Sequence, residues 1–255
     1  MNLSNHRTVA LKVFCSLGLL LGGSGTGLAD SLTVQGQDAA GIYDTKLYQN
    51  YNDINFGGSA TLTALNSSGL NRLALFKFTN LDTIGSGMVI DSLKIQLYCT
   101  SETDATVGMF EVFKPWYEGT SDNAVENGAV DDNHWHHADS SWGAEMLGNA
   151  SDAGAQNRSS GSGYDRKATA TDTESITTVN SWYTFRVDPA LAQDWYDGDK
   201  EPFGVAFFET STTGTTVFAS SENATATNRP KVTIYYHSSG TLGSNRRAVV
   251  LRSNL

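Results

Sequence analysis

Short runs of alternating apolar and polar residues recur along the chain, with turn-forming residues between them. In Ser92–Cys99 the residues Leu93, Ile95, Leu97 and Cys99 share one side, while Lys94, Gln96 and Tyr98 share the other. A period of two places one face of a strand on a core and the other in water. Tyr183, Phe185 and Val187 repeat the pattern, as do Val232, Ile234 and Tyr236. Strands are predicted over Thr45–Gln49, Ala60–Leu65, Arg72–Phe78, Ser92–Cys99, Val107–Phe113, Trp182–Val187, Phe203–Glu209, Thr215–Ala219 and Lys231–Tyr236. The continuous apolar run Val205-Ala206-Phe207-Phe208 suits a central strand buried on both faces. One short helix is predicted after Asp188. The aspartate can cap it, Pro189 fits the first turn, Leu191 and Trp195 share a face, and Gly198 can end it. Many short strands with regular turns indicate an all-β sandwich or barrel. Two stretches have no such period, 118–167 and the tail from Ser238 onward.

The first residues read differently. His6, Arg7 and Lys12 precede or border the apolar run Val13–Leu21, and Gly27-Leu28-Ala29 closes the segment in an A-x-A-like manner. That is the layout of a secretory leader, and the run is too short to span a bilayer. The expected organisation is a leader over 1–29, a β-sandwich over 30–237 and a tail over 238–255. It places the protein outside the cell or at its surface.

The chain carries 17 basic and 27 acidic residues. Loss of the leader removes Arg7 and Lys12 but no acid, leaving 15 against 27 and a formal charge of −12. Such a surface repels nucleic acid and anionic lipid, so neither nucleic acid nor membrane is an expected partner. After cleavage Cys99 is the one cysteine left. Its place in an alternating run makes it a small buried apolar residue rather than a nucleophile.

Several ordered segments resemble the DNRLRE domain, including the modules classed as carbohydrate-binding family ninety-six. Asp44-Thr45-Lys46-Leu47-Tyr48 is followed by Asn55-Phe56-Gly57, then by Asn71-Arg72-Leu73-Ala74-Leu75-Phe76-Lys77-Phe78. Ile84-Gly85-Ser86-Gly87 leads into Val89–Tyr98, and Trp116-Tyr117-Glu118-Gly119-Thr120 and Trp142-Gly143-Ala144 follow. The series closes with Tyr183–Val187, Trp195-Tyr196-Asp197-Gly198, Phe218–Glu222 and Arg229–Tyr236, so that it covers roughly residues 38–237. The resemblance implies a jelly-roll β-sandwich of antiparallel strands with one short helix. It also implies a non-catalytic role in binding polysaccharide, alginate among the ligands. No catalytic domain is joined to the module in this sequence. An acidic chain that binds an anionic polysaccharide needs a local basic patch, for which Arg72, Lys94, Lys114 and Lys231 are the candidates.

A sugar site needs rings for C–H faces and polar groups for hydroxyls. Arg72, Lys94, Tyr98, Trp116, Tyr117 and Trp135 are the candidate ligand-binding residues. Core or loop anchoring is the alternative for Trp116 and Trp142, whereas Trp135 suits an exposed platform. A structural calcium ion, which takes six to eight hard oxygen donors, could be held by Asp38, Asp44, Asn55 and Glu222. His134, His136 and His137 form a tight imidazole cluster that could take zinc or copper, with a solvated polar loop as the alternative. The chain contains no G-x-S-x-G, H-E-x-x-H or P-loop motif, and a non-enzyme is expected. Two other classes stay open. One is a structural component of a matrix, sheath or filament, self-associating by strand addition through Ala248–Leu251. The other is a polysaccharide lyase or hydrolase.

Overall fold

The computed structural model describes residues 29–37, 40–48, 51, 53–67, 70–102, 104–127, 129, 166–211 and 214–239, together with the backbone of 134–136 and 140–141. All nine predicted strands are present. They are β2 (Ile42–Tyr48), β3 (Thr61–Leu65), β4 (Arg72–Phe78), β5 (Met88–Ser101), β6 (Ala105–Glu111), β10 (Ser181–Val187), β11 (Val205–Glu209), β12 (Thr215–Ala219) and β13 (Lys231–Ser238). Four strands fall where no strand was predicted, namely β1 (Asp30–Gln35), the short pair β7 (His134–His136) and β8 (Ser140–Ser141), and β9 (Asp172–Ile176). Sequences such as Asp-Ser-Leu-Thr-Val-Gln and Asp-Thr-Glu-Ser-Ile hold too few apolar residues to show a clear period. Their partners, β13 and β6, supply the pairing.

The antiparallel pairs are nested along the chain: β1 with β13, β3 with β12, β4 with β11, β5 with β10, and β6 with β9. Further pairing of β13 and β12 with β5, of β11 with β6 and of β2 with β4 closes the array. One curled sheet results, with two facing layers, β1-β13-β5-β10 and β2-β4-β11-β6-β9, joined by the β3–β12 ribbon. This is the jelly-roll arrangement of a β-sandwich. Leu93, Ile95, Leu97 and Cys99 of β5 meet Ala74, Phe76 and Phe207 of the other layer in one buried core. Burial pushes the Cys99 thiol up to about 11, which suits a packed apolar residue.

Helix α1 (Pro189–Asp197) closes one end. Asp188 accepts hydrogen bonds from the Ala190 and Leu191 amides at 2.8 and 3.4 Å, and Gly198 ends the helix at φ 76°. Leu191, Ala192 and Trp195 are buried. Gln193 accepts from the Ile90 amide at 2.7 Å, and Tyr196 Oη donates to the Gly85 carbonyl at 2.6 Å. The helix is thereby tied to the start of β5.

The second layer is apolar on its outer side as well. Leu47, Leu73, Leu75, Phe110, Val112 and Ala206 form a second buried cluster there, and Trp116 covers it. Trp116 is 1% exposed, and its Nε1 donates to the Phe203 carbonyl at 2.7 Å. The segment after β6 is therefore a lid on this layer. Trp116→Ala is expected to lower unfolding free energy by about 3–5 kcal/mol, read from the midpoint of a urea denaturation curve.

Candidate functional site

Alternation along the first layer sends every second side chain outward. On β5 these are Lys94, Gln96 and Tyr98; on β13 Lys231, Thr233 and Tyr235; on β10 Trp182, Thr184 and Arg186. Register sets them in rows across the strands. Tyr98 lies opposite Trp182, Gln96 between Thr184 and Lys231, and Lys94 between Arg186 and Thr233. Rings thus stand at the two ends of the face, with cations, amides and hydroxyls between them.

The side chains are held to one another. Tyr98 and Trp182 pack edge to face at 5.3 Å. Lys231 Nζ reaches across Gln96 to within 3.7 Å of the Trp182 ring centre, and Lys94 Nζ lies 4.5 Å from that of Tyr235. Gln96 donates to Thr184 Oγ1 at 3.3 Å. Among the described residues neither Lys94 nor Lys231 forms an ion pair or a hydrogen bond, although the chain's formal charge is −10. Arg186 differs, since its Nη1 lies 3.7 Å from Glu174. Partial burial lowers the Lys231 pKa below its ordinary value. Amines resting on rings, with no carboxylate to neutralise them, form a surface fitted to an anion that carries a stacking face.

A second group of side chains lies at the edge of the other layer. Asp44 of β2, Glu118 of the lid and Glu222 beyond β12 each place a carboxylate oxygen within 4.8 Å of the others. Glu118 accepts from the Asp44 amide at 2.6 Å, and Asp44 accepts from the Ser221 amide at 2.8 Å. Ser221 Oγ lies 2.9 and 2.8 Å from the two carboxylate oxygens of Glu222. Asn55 donates to the Glu118 carbonyl at 2.5 Å and accepts from the Gly57 amide at 3.0 Å. The lid touches the backbone here, and a Cβ on Gly57 would stand 2.2 Å from the Glu118 carbonyl oxygen. Lys77 fastens the lid from below, donating to the Trp116 carbonyl at 2.7 Å and lying 4.6 Å from the Trp116 ring centre. Burial lowers its pKa, while the charge of Glu118 raises it. An all-oxygen set with three carboxylates fits a hard divalent cation, calcium above all.

The sequence-predicted residues divide as follows. Lys94 and Tyr98 come together on the outer face, and Lys231 of the predicted basic patch joins them. Asp44 and Glu222 meet as expected for an oxygen site, with Asn55 bonded to the third member. Trp116 is buried and so offers no ring to a ligand. Tyr117 is 53% exposed but stands beside Trp116 and Lys77 on the lid, on the other layer from Lys94 and Tyr98. Arg72 stacks on Tyr48. Asp38, His137 and Trp142 lie outside the described residues, as do the side chains of His134, Trp135 and His136. Three contributors went unpredicted. Glu118 sits in a motif noted for its aromatics, and Trp182 and Tyr235 occupy water-facing positions of predicted strands.

No protein-family model matches the chain, and no curated protein sequence matches it. Among the described residues no helix is long and apolar enough to cross a membrane.

Replacing Gly57 with Ala drives a methyl group into the lid backbone. The variant is expected to lose about 1–3 kcal/mol, measured as a fall in Tm against the wild-type protein.

Proposed function

We propose that the protein is a secreted, non-catalytic polysaccharide-binding module of the DNRLRE type, taking an acidic, alginate-like polysaccharide on the outer face of β13-β5-β10. One observation carries this reading: in a chain of formal charge −10, Lys94 and Lys231 share one outer face without a carboxylate partner, Lys231 over Trp182 beside Tyr98 at one end and Lys94 over Tyr235 at the other. A uronate carboxylate can draw either amine off its ring, while the ring receives the sugar C–H face. Gln96 and Thr184 supply donors and acceptors for hydroxyls. This is equipment for holding a chain. Export rests on the leader pattern in residues 1–29.

The test is retention of residues 30–255 on a panel of acidic and neutral polysaccharides. Alginate is expected to retard the protein, less so as salt rises. The double variant Lys94→Ala/Lys231→Ala is expected to bind at least about tenfold more weakly, or about 1.4 kcal/mol. Folded protein that passes every polysaccharide unretarded ends the proposal.

Calcium belongs to the same proposal as a structural ion held by Asp44, Glu118 and Glu222. Bound there, it would neutralise three clustered carboxylates and join β2, the lid and the segment after β12. Protein prepared with calcium is expected to lose several degrees of Tm in chelator, through loss of ligand-linked stability. Glu222→Gln should remove that loss, and an identical Tm with and without chelator in the wild-type protein removes the ion.

A further inference from the structure

The binding face does not stop at Tyr98 and Trp182. The next outward position on β5 is Thr100, whose hydroxyl donates to the Val217 carbonyl of β12 at 3.2 Å. Val217 lies opposite Ser101 on one side and Thr63 of β3 on the other. Thr63 Oγ1 is 3.3 Å from the hydroxyl of Tyr48. Two strand steps of about 4.8 Å each thus lead from β5 to β3, where Thr63, covered and buried, meets the Tyr48 hydroxyl of β2.

Tyr48 is the centre of a second ring-and-cation group. Phe56 and Tyr51 pack on it at 4.7 and 5.9 Å, and Tyr51 is 46% exposed. Arg72, opposite Tyr48 in the β2–β4 register, holds its guanidinium carbon 4.3 Å from the Tyr48 ring centre. Lys46 Nζ lies 5.4 Å from the same centre, bonded to Ser59 Oγ at 2.7 Å and Thr61 Oγ1 at 3.1 Å. Among the described arginines, Arg166 and Arg229 donate to carbonyls and Arg186 pairs with Glu174. Arg72 alone of these makes neither a hydrogen bond nor an ion pair. Its plane is fixed by the ring, and its fork of five N–H donors is left for an acceptor from outside.

The geometry points to Arg72, stacked on Tyr48, as a distal contact for a carboxylate of the same polysaccharide, several sugars beyond those held at Lys94 and Lys231. This inference rests on the polysaccharide reading and extends it. The ligand is a long acidic chain that crosses from β5 over the β12–β3 ribbon, and short oligomers occupy only the Lys94–Lys231 part. A bidentate guanidinium–carboxylate pair is the contact at the far end.

The experiment titrates a length series of alginate oligosaccharides against wild-type residues 30–255, Arg72→Ala, Arg72→Lys and Lys94→Ala/Lys231→Ala, each checked for an unchanged circular dichroism spectrum. Arg72→Ala is expected to weaken long oligomers about tenfold and to leave short ones as they were. Arg72→Lys keeps the charge but loses the fork, so it recovers little of that loss. A uniform loss at every length, as from a damaged fold, overturns the inference, and so does no loss at any length. If the double lysine variant binds short oligomers as well as wild type, the Lys94–Lys231 reading itself is gone and the extension falls with it. If that variant weakens every length and Arg72→Ala weakens none, only the extension falls.

Discussion

Strand β11 has to be dry on both sides. Val205, Ala206 and Phe207 are buried in sequence, so neither face of the strand tolerates water. The inner face meets the other layer, but the outer face of β4, β11 and β6 needs a cover of its own. The chain after β6 provides it, with Trp116 as the anchor and Lys77 beneath. The functional geography follows from this cover. Folding the lid down carries Glu118 to Asp44 and Glu222, and it leaves the opposite layer as the one whose outer face is furnished with polar, ringed and cationic side chains.

Charge is sorted in the same way. Carboxylates gather at the lid edge, where amides and a serine hydroxyl bond to them. Lys94, Lys231 and Arg72 stand on rings instead. An amine on an indole or phenol face keeps some electrostatic stabilisation without a counter-ion, and that stabilisation is modest at an exposed site. An incoming carboxylate can therefore compete for the amine, as it could not for a lysine already locked to an aspartate or glutamate.

The architecture was legible because strand periods are local. Ser92–Cys99 declares two faces in eight residues, and the Asp188–Gly198 helix declares both its ends. Strands β1 and β9 were hidden because Leu32 and Val34, or Ile176 alone, are too few to set a period, so that partner strands decide their fate. The oxygen cluster was half legible. Asp44 and Glu222 belong to segments expected to meet, whereas Glu118 arrives only through the long-range docking of Trp116. Trp116 carried two readings, with core or loop anchoring favoured over a sugar platform, and its burial bears out the anchoring, since a ring's role depends on what covers it. Trp182 and Tyr235 were placed on outward faces by the alternation, but only register across β5 shows that they frame Lys94 and Lys231.

The nested pairing has a consequence in time. The first described strand of the sandwich, β1, has β13 as its neighbour, and β13 is the last of the described strands to be made. Each inner pair likewise waits for a partner farther along the chain, and loop closures of this span make for slow, non-local folding. Nearly all of the described chain must therefore be made before its outermost pair can form. Until then β1, whose one strand partner among the described residues is β13, stays unpaired.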